Sequence, residues 1–179
     1  KEGSMGILFS NDNLSLAFEE DIAYIINFTT NLIDKGLDIQ DTLKTLQPIL
    51  ESKSLKKIVH GGKDIIILLH RHGIKLGNLG FDTSIAGYLI DSTKEGYDLP
   101  RLMFEYLDLD VDTVDAADLL LLANEMEEAL EESGMLNLYR EVEHPLISVL
   151  AHMELTGFKV DREILLELGA DFKDKIDSL

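Results

Sequence analysis

The sequence predicts an α/β fold: a mixed sheet flanked by helices, with further helices at its C-terminal end. Three observations predict it. Residues 5–10 (MGILFS), 14–18 (LSLAF) and 22–28 (IAYIINF) are short apolar or alternating runs, separated by Asn11-Asp12-Asn13 and Glu19-Glu20-Asp21. From residue 39 onward, helical spacing alternates with short buried-type strands. The last third is helical in pattern apart from a break at Thr156-Gly157 and an extended Phe158-Lys159-Val160.

Each element has a local reason. Strands joined by turns this short pair antiparallel, so the first three form a meander. Asp34-Lys35-Gly36 is a loop. Leu43, Leu46 and Leu50 give residues 39–50 a helical stripe. KKIVH at 56–60 is a strand, Gly61-Gly62 loosens the chain, and KDIIILLHRH at 63–72 is a helix ending at Gly73. Its run from Ile65 to Leu69 is too apolar for a surface helix. Residues 79–81 form a short strand. Asp82 then caps a helix over 83–90, and Asp98 caps the next, with Pro100 tolerated in its first turn. A long helix over 113–132 stops before Gly134. Another over 136–155 spans Pro145, which predicts a kink. Thr156-Gly157 breaks it, and Asp161 caps a final helix with Glu163 in its first turn. This order implies antiparallel strands followed by parallel ones with helices on both faces. Several α/β folds share it.

Composition narrows the function. Among 179 residues, 45% are hydrophobic and 28% charged, enough apolar material for a core in one domain or one domain with an appendage. There is no cysteine, which excludes disulfides and cysteine-based zinc sites. No apolar run is long enough to cross a bilayer and no signal-peptide pattern opens the chain, so no membrane partner is expected. The chain starts at Lys1 rather than at a Met, which is expected of a fragment or a processed product.

The net charge is −18. Phosphate binding draws its affinity from cations, so this chain is expected to bind DNA weakly if at all. Acidic residues run from Glu105 to Glu132 with no Lys or Arg between Leu102 and Tyr139. A solvated helix face with an acidic loop is the reading, and a DNA-mimicking surface the alternative. There is no P-loop, no G-x-S-x-G and no cysteine nucleophile, and the five histidines lack zinc spacing. Asp82 reads as a helix cap rather than a ligand. Lys56, Lys57, Lys63 and Arg71 read as a solvated helix edge, with a phosphate contact as the alternative.

Three stretches carry a family resemblance. KKIVHGGKDIIILLHRHGIKL followed by GFDTSIAGYLI spans residues 56–76 and 80–90, YDLPRLMFEYL spans 97–107, and GMLNLYREVEHPLISVLAHMELTGFKVD spans 134–161. They resemble the 3′–5′ exonuclease-like (proofreading) domain of family A, DNA polymerase I type, DNA polymerases; the last stretch resembles the junction with the polymerase region. The matches order nearly the whole chain from Leu43 onward. The resemblance implies a ribonuclease H-like exonuclease fold.

It also implies a chemistry to test. Active members hold two Mg²⁺ or Mn²⁺ ions with four carboxylates, because hard cations need oxygen ligands and two metals clamp the attacking and leaving oxygens. Laid on the first motif, Asp-x-Glu, Ser10 stands at the Asp position and Asp12 at the Glu position; alternatively the first strand lies upstream of Lys1. In the second, Asn-x-x-x-Asp, Gly61 and Ile65 stand at the two positions. Asp64 is adjacent but turned about 100° away on a helix, so it is expected to point elsewhere. In the third, Tyr-x-x-x-Asp, Asp110 and Val114 take the places, with Asp115 one residue along. Lys63 matches the family's lysine.

The resemblance therefore implies a vestigial, catalytically inactive exonuclease domain at residues 1–134 and the helical start of the polymerase region at 135–179. The implied partner is the polymerase domain of the same parent chain, with a scaffolding role in DNA replication and repair. No cofactor is expected, and the compartment is the bacterial cytoplasm. Two alternatives stay open: an active metal-dependent exonuclease whose ligands are offset by insertions, and an acidic protein-interaction module using residues 102–139.

Overall fold

A computed structural model of the chain describes residues 3–28 and 36–178. Asp34 and Lys35, read as loop, lie outside them. The strands are β1 (Ser4–Phe9), β2 (Asn13–Glu19), β3 (Ile22–Asn27), β4 (Lys56–Val59) and β5 (Leu79–Asp82). They form one sheet in the order β3-β2-β1-β4-β5. β1–β2 and β2–β3 are antiparallel, and β1–β4 and β4–β5 are parallel. Among these five strands β1 is central. Ser10, expected as its last residue, instead turns the chain: its N–H donates to the Asn13 carbonyl at 2.9 Å and its hydroxyl accepts from the Asn13 N–H at 3.1 Å.

Helices cover both faces. α1 (Ile39–Leu50) and α2 (Gly62–Arg71) bury Leu43, Leu50, Ile65 and Leu69 against Met5, Ile7 and Val59. The opposite face takes α3 (Thr83–Ile90), α4 (Leu99–Leu107) and α5 (Ala116–Glu132), with Ala17, Ile58 and Phe81 under Leu102, Leu119 and Met126. Period-2 alternation sends Ile58 to one core and Val59 to the other. Gly6 lets α5 approach β1 closely, since a Cβ there would lie 2.2 Å from the Ala116 carbonyl oxygen.

The long helix starts later than expected, at Ala116 rather than Thr113. Asp115 is its N-cap: the carboxylate accepts from the Ala117 N–H at 2.7 Å and the Asp118 N–H at 3.2 Å. The Asp118 carboxylate in return accepts from the Asp115 N–H at 3.0 Å. This reciprocal box leaves residues 113–115 outside the helix. Where one helix with a kink at Pro145 was expected, the chain forms α6 (Leu136–Leu138), a π turn (Tyr139–Glu143) and α7 (His144–Thr156), with Pro145 in the first turn of α7. Proline has no N–H to donate and its ring crowds the carbonyl four residues back, so the turn before it widens. α8 (Arg162–Asp177), capped by Asp161 as expected, buries none of its described residues.

Candidate active site

The C-terminal end of β1 and the N-terminus of α2 face each other across a cavity of about 770 Å³. Phe9, Ser10, His60, Gly61, Asp64 and Ile65 are among its walls. A second cavity of about 460 Å³ shares Ser10 and is closed by Ser15, Val114, Asp115 and Asp118. Ser10, Gly61, Ile65 and Val114 therefore gather around the end of one strand. Asp12, exposed in the β1–β2 turn, and Asp110, exposed between α4 and α5, line neither cavity.

Asp64 corrects one expectation. It was expected to point elsewhere, yet it lines the first cavity with its side chain 83% exposed and Lys63 3.8 Å away. It sits in the first turn of α2, where side chains lean back toward the helix N-terminus. Ile65 is buried in the core beneath it. The edge reading of the lysines also needs correction. Lys57 is buried on β4 with its ammonium donating to the Ser52 carbonyl, and burial pushes that ammonium below the usual lysine range. Lys63 pairs with Glu154 of α7 at 2.8 Å, which raises its pKa.

Behind the cavities lies a polar node that sequence spacing did not reveal. Asp82 is 1% exposed. Its carboxylate accepts from the N–H groups of Gly61 (3.1 Å), Gly62 (2.6 Å) and Ser84 (2.9 Å) and from the Ser84 hydroxyl (2.7 Å). One carboxylate thus caps α3 and anchors the start of α2, a favourable place for an anion. Gly61 turns into α2 at φ +73°, a conformation that favours glycine. The Asp82 N–H donates to the Tyr139 hydroxyl at 2.7 Å, and the Tyr139 ring packs on Phe81 with centroids 5.0 Å apart. Burial pushes the Tyr139 phenol far above its usual range. His60 shares a 2.9 Å hydrogen bond with the Thr83 hydroxyl, and its imidazole is shifted down by burial, against the opposing pull of Asp82 and Asp98. Asp82 was legible as a cap; its bonds to α2 and to Tyr139 had no local signal.

The donor set does not fit two hard divalent cations. Gly61 has no side chain, Ile65 and Val114 are apolar, and the Ser10 hydroxyl is engaged in its turn. The Asp115 carboxylate is committed to the cap of α5. Among the described residues no group of three or more His, Cys, Asp or Glu could hold a metal ion. A single exposed carboxylate, Asp64, can neither balance the charge of two ions nor fix their geometry.

Comparison with known proteins agrees with the architecture. A family model described as DNA polymerase I, ribonuclease H-like domain, matches residues 14–116. DNA polymerase I of Caldicellulosiruptor bescii is 32% identical over 138 residues, covering 73% of this chain and 16% of the relative. The thermostable DNA polymerase I of Thermus thermophilus is 35% identical over 146 residues, covering 76% of this chain and 16% of the relative. This chain therefore spans only about a sixth of those curated relatives. Among solved structures, the POL domain of Pol1 from M. smegmatis, in complex with DNA primer-template and dNTP, aligns with a TM-score of 0.80 at 23% identity, over 98% of this chain and 32% of that one. Brucella melitensis NrnC bound to pGG aligns with a TM-score of 0.67 at 17% identity, over 89% of this chain and 88% of that one. At such identities the likeness is one of fold. By its family match and its relatives, this chain belongs to the ribonuclease H-like, 3′–5′ exonuclease-like domains of the bacterial DNA polymerase I family.

Proposed function

We propose that this domain is a non-catalytic relic of a proofreading exonuclease that serves as a scaffold for the polymerase region of a longer parent chain. One observation supports the loss of catalysis most directly. Ser10, Gly61, Ile65 and Val114, where the family motifs call for ligating side chains, surround one strand end without offering a ligand set. The scaffold reading rests on residues 135–179, the proposed start of the polymerase region. Tyr139, Ile147 and Ala151 are buried, while α8 exposes Ile164, Leu165, Leu168 and Phe172. Such a face suits burial against further chain. Among the described residues no helix is long and apolar enough to cross a membrane, and action in the bacterial cytoplasm, in DNA replication and repair, belongs to the same proposal.

The test is direct. Incubated with Mg²⁺ or Mn²⁺ and end-labelled single-stranded DNA, the protein is expected to leave the 3′ end intact. Metal-dependent shortening that disappears in Asp64→Ala would overturn the loss of catalysis.

A further inference from the structure

We propose that the end of the sheet remote from the relic cleft is a docking site for a basic peptide segment of a partner protein, one that presents arginine beside an aliphatic residue. A cavity of about 650 Å³ opens between the β2–β3 turn and α5. Its floor is apolar, from Ile58, Phe81 and Leu120, and Phe18 forms a wall. That apolar surface continues outward. Phe18 packs edge-on against Tyr24 with centroids 6.5 Å apart, and Phe18, Ile22 and Tyr24 are all exposed.

The rim selects the partner. Glu19, Glu20, Asp21 and Glu127 line the cavity against one lysine, Lys56. Glu20 accepts from the Asn124 amide at 2.8 Å and Glu127 pairs with Arg140 at 2.7 Å. Among the described residues the side-chain carboxylates of Glu19 and Asp21 have no hydrogen-bond or ion-pair partner. The site thus offers an apolar seat, exposed aromatic faces and two free carboxylates. Arginine suits all three: its stem covers apolar surface, its guanidinium stacks on aromatic rings, and its fork meets a carboxylate with two hydrogen bonds. An aliphatic neighbour fills the floor. An anionic or purely apolar segment would leave the two carboxylates uncompensated.

The experiment titrates the full 179-residue chain with an acetylated, amidated Leu-Arg-Leu-Arg peptide at physiological salt, followed by backbone amide NMR. Shifts are expected at residues 18–22 and 120–127. Glu19→Gln with Asp21→Asn, and separately citrulline in place of arginine, are each expected to weaken binding by about tenfold. Glu131→Gln with Glu132→Gln removes the same charge from the exposed end of α5 and is expected to change nothing. Equal weakening by both double variants would reduce the effect to net charge and overturn the proposal. So would spermidine binding as tightly as the peptide, or an absence of shifts around the cavity.

Discussion

In the motif register proposed above, Ile65 and Val114 put apolar wall where active relatives of this fold would place carboxylates. Unmetallated carboxylates sharing one cleft repel one another, and desolvation adds to the cost. Burying a valine or isoleucine side chain instead stabilises by roughly 1.5–3 kcal/mol. Ile65 packs with Met5, Ile7 and Leu69, and Val114 packs with the α5 core. The domain is therefore expected to be stable without divalent metal. Ile65→Asp combined with Val114→Asp should lower the melting temperature in EDTA. Activity should not return, because Ser10 still turns the chain and Gly61 offers no ligand. A double variant that melts no lower than the parent in EDTA would mean that these two side chains do not line a former carboxylate cleft.

At the scale of elements, short polar side chains decide where helices begin. Asp38, Asp82, Asp98, Asp115 and Asp161 all act as N-caps. Asp115→Ala is expected to cost about 1 kcal/mol, the usual loss of a capping carboxylate, and to leave metal sensitivity unchanged. A thermal melt with and without Mn²⁺ checks both; a metal-dependent stabilisation seen only with Asp115 present would make it a ligand. Caps and turns were legible in the sequence because their hydrogen bonds span only a few residues. The meander, the β/α alternation and the start of α3 followed from such local rules. The start of α5 was misplaced because Thr113 is also an acceptable cap. The box between Asp115 and Asp118 decides the matter, and a cap with an acid three residues on was its available signal. The orientation of Asp64 depended on where α2 begins. The bond from Asp82 to Tyr139 joins residues 57 apart, and no periodicity reports such a contact.

For the whole molecule, two half-buried histidines are expected to set a response to acid. Desolvation shifts both His60 and His144 downward, which favours the neutral imidazole in the folded chain. Asp82 pulls both upward, and Lys56 adds to the depression at His144. The His144 Nε2 is buried without a hydrogen-bond partner among the described residues. A folded pKa below the unfolded value of about 6.5 gives stability that is present above that pH. It is lost as pH falls through the folded pKa. The melting temperature is therefore expected to fall between about pH 7 and pH 5, before most carboxylates titrate. His144→Phe, which keeps a ring beside Tyr139, should flatten that slope; an unchanged slope would remove His144 from the account.

Tyr139 has a consequence for how this region can be divided. It is 2% exposed, yet it lies beyond residue 134, on the far side of the proposed division between relic and polymerase regions. Its ring covers Phe81, and its hydroxyl oxygen accepts the hydrogen bond of the Asp82 N–H, next to the carboxylate that holds α2 and α3 in place. A piece ending at residue 134 would uncover that aromatic floor and strand the amide without an acceptor. The proposed division at residue 134 therefore does not separate two independently packed units. On the scaffold reading proposed above, a parent chain that lost this domain would have to rebuild the footing of the helix that carries Tyr139, which would favour keeping the domain whether or not it cuts DNA.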